Sequence, residues 1–167
     1  MPDPRLPRGA LARLGFTLAI GALAVFAAAG PRIAHAGGRR GFSRHDAPAP
    51  IERAMRGGIL AEASRWLGGG NPTPFREPWC RDFVNFVLRR AGHPLGDRSH
   101  LAIAALRLGP RVADPAPGDL AVMHGHVAFF AGWDGADAFL ALGGNQSRRV
   151  TIARFARRAV IAFVRPT

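Results

Sequence analysis

The sequence predicts an α+β domain in which N-terminal helices pack on a C-terminal antiparallel β-sheet. Two observations carry that prediction. As far as Gly109 the apolar residues recur at helical spacing, and beyond it they fall in short runs rich in β-branched and aromatic side chains. Helices first and strands second is the order expected of α+β rather than of alternating α/β units.

Each element has its own signals. Ile51, Met55, Ile59, Ala63 and Trp66 follow a helical period, weakened in the middle by Gly57-Gly58, and Gly68-Gly69-Gly70-Asn71-Pro72 stops it. A second helix is bounded by Pro78, suited to the first helical position, and by Gly92, suited to the stop. Between them Trp79, Cys80, Phe83, Val84, Phe86, Val87 and Ala91 form a broad apolar stripe, with Arg89 and Arg90 at the negative end of the helix dipole. A third helix is expected from Ser99 as cap, through Leu101, Ala105 and Leu106, to Gly109. Strands are expected over Asp119 to Met123, His126 to Gly132, Ala138 to Leu142, Val150 to Phe155 and Val160 to Arg165. Turns are expected between them, notably at Asp134-Gly135 and Gly143-Gly144-Asn145.

Ahead of this domain lies a segment of different character. Arg5, Arg8 and Arg13 precede an uncharged apolar run from Leu14 to Ala29, about 16 residues, followed by Ala34-His35-Ala36. The run is short of the roughly 18–20 residues that span a bilayer. The organisation expected is therefore a signal peptide over 1–36, a flexible basic lead-in over 37–50 and a folded domain over 51–167. Export to a periplasm or cell wall follows from it. No cysteine follows the apolar run at a lipid-attachment position, and no Arg-Arg pair precedes it.

Charge is lopsided: the 167 residues carry a formal +12, and every Lys+Arg position is arginine. Four arginines and one aspartate lie before Gly37, so the remainder keeps +9 of that charge. An exported protein this basic is suited to an anionic envelope surface, and no nucleic-acid-binding pattern accompanies the charge.

The single cysteine, Cys80, is the best chemical signal. With Pro78 at the first helical position, Cys80 falls near the third, where unpaired amides and the helix dipole favour a thiolate and can receive an oxyanion. A buried inert thiol is the alternative. A nucleophilic cysteine needs a base, and His126, at the start of a strand, can project toward a helix packed across the sheet. His124 and His126 on one strand face would instead suit a metal, but no third ligand stands near them; neither a metal nor a cofactor is expected. A third residue must orient the imidazole. Asn145, after the strand Ala138 to Leu142, is the candidate, with Gln146 as the alternative, although Gly-Gly-Asn is also ordinary turn chemistry.

Taken together, Pro78-Trp79-Cys80, Phe83-Val84-Asn85, Pro117-Gly118-Asp119-Leu120, Gly125-His126-Val127 and Gly143-Gly144-Asn145-Gln146 resemble the NlpC/P60 and CHAP cysteine peptidases and amidases. The resemblance covers Ile51 to Pro166. It implies a papain-like fold and hydrolysis of amide bonds in peptidoglycan, with Cys80 as nucleophile, His126 as general base and Asn145 holding His126. Asp119 would be structural, closing the turn into the first strand. The chain departs from the better-known Asp-Cys-Ser-Gly-Phe pattern at Arg81 and Asp82, which makes those two the place to look for bond selectivity. A non-catalytic wall-binding module of the same fold is the rival reading, and a thiol redox protein is a second. The redox reading lacks a resolving cysteine.

Overall fold

A computed structural model describes residues 49–76, 78–94 and 98–167. The expected signal peptide, and the lead-in as far as residue 48, lie outside the described residues. The fold is α+β: the described residues form three short α-helices and a six-stranded antiparallel sheet. Among the described residues no helix is long and apolar enough to cross a membrane.

The first helical period is realised as two helices, α1 (Ala49–Ala54) and α2 (Gly58–Ser64). The break falls at Gly57-Gly58, where Gly58 takes φ 62°, a conformation only glycine adopts cheaply. Ala49 and Pro50, expected in the lead-in, already belong to α1. Ile51, Met55, Leu60 and Ala63 are all buried in the core.

Helix α3 (Cys80–Arg90) starts two residues later than Pro78 suggests, with Trp79 at the cap position and Cys80 as the first helical residue. Its end is as expected. His93 N–H donates to Leu88 O at 2.9 Å and Gly92 N–H to Arg89 O at 3.1 Å, with Gly92 at φ 80°, so the last carbonyls are satisfied by a left-handed glycine. Cys80, Phe83, Val84, Val87 and Leu88 bury one stripe of this helix. The expected third α-helix is instead a 3-10 helix over Ala102–Arg107, with Leu101 rather than Ser99 before its first turn. Ala102 and Ala105 still reach the core.

The strands are β1 (Arg111–Val112), β2 (Leu120–Met123), β3 (His126–Trp133), β4 (Ala138–Gln146), β5 (Arg149–Ala156) and β6 (Val160–Val164). Their spatial order is β1-β6-β2-β3-β4-β5, every pairing antiparallel. The chain from β2 to β5 is thus a meander of neighbours, and β6 returns across it to lie on β2. Asp119, 4 % exposed, fastens that return. Its carboxylate accepts from Ala116 N–H at 2.7 Å, closing the turn into β2, and takes both Arg165 Nε and Nη2 at 3.1 and 2.8 Å.

The sheet has two buried faces. On one, Leu120, Val122, Val127, Phe129, Leu140, Leu142, Val150 and Ile152 pack against the helices. On the other, Ala121, Met123, Ala128, Phe130, Phe139, Ala141 and Phe163 form a separate apolar cluster built on aromatic rings. Alternation along each strand assigns every side chain to one face or the other.

Candidate active site

Cys80 and His126 belong to opposite faces of the sheet. Cys80 belongs to the helix-facing core and is 3 % exposed. His126 shares its parity on β3 with Ala128 and Phe130, so it lies on the face away from the helices. Its ring stacks on Phe155, with centroids 5.5 Å apart and planes at 26°. The helix packed across the sheet, toward which His126 was expected to project, thus lies on the face opposite the imidazole.

The backbone amides of Val127, Arg81 and Cys80 lie close enough to the Cys80 sulfur to favour its charged form. Val127 N belongs to the peptide bond that follows His126, so the thiol lies beside the His126–Val127 peptide. Phe130 directs its N–H to Asp119 O, on the β2 side. Alternation of backbone groups then turns the Val127 N–H, three residues earlier, toward β4. The sulfur accordingly sits at the start of β3 on its β4 side.

That position is open because β4 is interrupted there. Gly143 pairs with Thr151 and Gln146 with Arg149, so Gly144 and Asn145 together oppose Val150 alone. The two glycines of this bulge serve opposite faces. A side chain at Gly144 would overlap the Trp79 and Phe83 rings, so its absence lets the start of α3 press onto β4. A side chain at Gly143 would overlap the Gln146 amide and Ala128, so its absence lets Gln146 fold back over the strand. Gly143-Gly144-Asn145, expected as a turn, is thus a bulged stretch of strand, and the turn is the next pair. Ser147 and Arg148 both have positive φ, 54° and 59°, as a two-residue hairpin requires.

The bulge decides which residue meets the imidazole. Strict alternation from Gly143 would carry Asn145 to the His126 face. The extra residue hands that place to Gln146, whose terminal amide comes within 3.4 Å of His126 Nε2. Asn145 takes φ 59° as the left-handed residue of the bulge, a conformation asparagine tolerates. The far end of the Gln146 amide meets Thr151 Oγ1 at 3.0 Å. The resemblance assigned the orienting role to Asn145; the observed contact belongs to Gln146. Nothing in the local residue pattern separates the two except the adjoining glycine pair.

Comparison of this chain with family models, with curated proteins and with solved structures finds no match. The site rests on its own geometry.

The electrostatics of the thiol depart from the expectation that the helix terminus would favour a thiolate. Burial pushes the Cys80 thiol up, and the Asp82 carboxylate adds to that, while the amides of Val127, Arg81 and Cys80 pull it down without prevailing. At neutral pH the resting sulfur is protonated.

Arg81 and Asp82, the departure from the family pattern at which to look for bond selectivity, turn inward. Arg81 is 0 % exposed and donates to Asn85 Oδ1; Asp82 is 3 % exposed and lies 2.5 Å from His100 Nδ1. Asn85 in turn donates to Ser99 O at 3.4 Å. These contacts tie the first turns of α3 to the segment before the 3-10 helix, and leave neither side chain at a surface. His124 is exposed in the two-residue turn between β2 and β3, with Gly125 at φ 71°, and does not share a strand face with His126. Among the described residues no group of three His, Cys, Asp or Glu side chains is placed to hold a metal.

Proposed function

We propose that this chain is an exported cysteine hydrolase of papain-like fold that cleaves an amide bond of peptidoglycan. The bond is a stem-peptide linkage or the one joining the stem to its sugar. The single observation that supports it most is the convergence of Cys80, at the first residue of α3, with the His126–Val127 peptide and with Gln146 on the imidazole. The resemblance in the Cys80, His126 and Gly-Gly-Asn-Gln motifs supplies the substrate class, and the net positive charge suits an anionic wall polymer.

In this reading the resting thiol is neutral and His126 acts as a general base during attack, not as the partner of a standing thiolate. His126 takes the Cys80 proton as the sulfur forms its bond to the substrate carbonyl carbon. Negative charge passes to the carbonyl oxygen, which the Cys80 N–H at the opening of α3 is placed to receive. The imidazolium gives its proton to the leaving amine as the C–N bond breaks, leaving a thioester. His126 then draws a proton from water, which attacks the thioester and restores the thiol.

The test is digestion of purified peptidoglycan with the soluble products resolved by mass. Wild-type protein should release fragments and Cys80→Ala should release none. A free stem peptide identifies an amidase, and cuts within the stem identify an endopeptidase. Wild-type protein that pellets with the wall yet releases nothing overturns the hydrolase reading in favour of a binding module.

A further inference from the structure

The sheet ends on one side in an incomplete edge. β1 pairs with β6 only at Arg111, opposite Val164, and at Val112, opposite Phe163, and the chain then turns away. Among the described residues the rest of β6, residues 160–162, has no strand on that side. Ile161 lacks a partner on the other side too, because Val122 pairs with Ala162 and Met123 with Val160. An uncovered strand edge presents main-chain N–H and C=O groups to any extended chain that comes alongside. A groove of about 440 Å³ follows this stretch. Val112, Val160, Ile161 and Phe163 supply its apolar lining, and Arg111 and Arg157 are its charged residues.

We propose that this groove takes an extended acidic segment of a partner protein, which adds to β6 as a strand in line with β1. Strand addition draws affinity from main-chain hydrogen bonds and specificity from the side chains around them. Here the two arginines supply the specificity. Arg111 stands at the Val164 end of the groove, and Arg157 at the other, in the 3-10 turn Arg157–Ala159 that leads into β6. Arg157 donates its N–H to Asp137 O at 2.8 Å, and its guanidinium lies over the Trp133 ring, 4.8 Å from the centre. Among the described residues neither guanidinium pairs with a carboxylate, and no acidic residue lines the groove. Asp114, just beyond it, acts on Arg165. Charge disfavours the chain's own candidates. Residues 37–48 carry three arginines against one aspartate, and a second copy would bring an equally basic edge against Arg111 and Arg157. The proposal does not rest on the hydrolase reading, since β2 separates β6 from the strands that carry His126 and Gln146.

The probe is the synthetic peptide acetyl-Glu-Val-Thr-Val-Glu-amide, which places a carboxylate at each end of an extended stretch. Titrated into the 15N-labelled full chain, it should cause saturable amide shifts at residues 111–113 and 160–163. In a strand, alternate residues direct their N–H toward a given neighbour. N-methylation of the two valine nitrogens, or of the threonine nitrogen, should therefore weaken binding on the order of tenfold in one case and spare it in the other. Arg111→Glu with Arg157→Glu should also weaken it on the order of tenfold, whereas Arg53→Glu with Arg89→Glu, both exposed and outside the groove, should not. Equal loss in the two double variants, or equal binding by the two methylated peptides, overturns the proposal, as do shifts elsewhere or none at all. If the groove variants fail to fold, the methylated peptides still decide. Overhauser contacts from residues 37–48 to β6 in the free chain, or a dimer in sedimentation, would give the groove to this chain itself and overturn the proposal. Displacement of the peptide by soluble peptidoglycan fragments would give it to the wall, and overturns it equally.

Discussion

Cys80 is buried to 3 % exposure, and although three nearby backbone amides favour its charged form, burial outweighs them and its thiol is held above its ordinary value of 9.0. A raised folded-state value means the neutral thiol is the favoured form. It contributes stability that is present below 9.0 and lost as the pH rises through the folded value. The rate of iodoacetamide modification in the absence of substrate should therefore climb with pH and reach half its maximum above 9.0. A plateau already reached near neutrality would mean a standing thiolate, and His126 would then not be needed as a base in the first step. The single cysteine was plain in the sequence, and so was its place near a helix start. Its protonation state was not, because the helix dipole and amides favour the charge while burial opposes it, and only packing sets the second of these. Arg81 and Asp82 teach a similar lesson. As unusual charged residues beside a candidate nucleophile they marked where to look for bond selectivity, but both are enclosed by their own fold partners, Asn85 and His100.

At the scale of the element, the bulge in β4 is the feature on which the site turns. One extra residue reverses which of two adjacent side chains faces His126, so a strand period of two selects Asn145 and the actual strand selects Gln146. The glycine pair marks the place without announcing what it does. Gly144 is the sharper test, because a methyl group there meets two buried rings that have no room to retreat. Gly144→Ala should cost about 1–3 kcal/mol of stability, read from the midpoint of chemical denaturation. It should also lower hydrolysis by shifting the start of α3, where Cys80 sits. An unchanged midpoint would mean that Trp79 does not depend on this approach. The other elements were more legible. The apolar stripe of α3 and its glycine stop, and the five longer strands, follow from side-chain period and turn chemistry, which are local. The helical segment at Ala102–Arg107 was legible but not its 3-10 form, and the two-residue strand β1 was not legible, since it is too short to carry a period.

For the molecule as a whole, Glu62 joins α2 to α3. It is 7 % exposed, and its carboxylate accepts from Arg90 Nε, lies 3.0 Å from Arg65 Nη1 and is 3.4 Å from Trp66 Nε1. Arg90 also lies over the Trp66 and Phe86 rings. Burial pushes the Glu62 carboxyl up, but Arg90, Trp66 and Arg65 together hold it below its ordinary value of 4.5. The charged form is thus favoured in the fold, and its contribution is present above 4.5 and lost as the pH falls through the lower folded value. Glu62→Gln should be less stable than wild type at neutral pH, and the gap should close as the pH drops below 4.5. A gap that stays constant across that range would assign the effect to packing rather than charge. Taken alone, the sequence determined the order of helices and strands, the lone thiol at a helix start, and a histidine opening a strand. All of these depend on residue type and spacing over a few positions. Only the tertiary structure decided that β6 returns to β2, that Cys80 lies beside the His126–Val127 peptide, and that Gln146 faces the imidazole. Those depend on which strands pair and in what register, and one inserted residue in a strand is enough to change the answer.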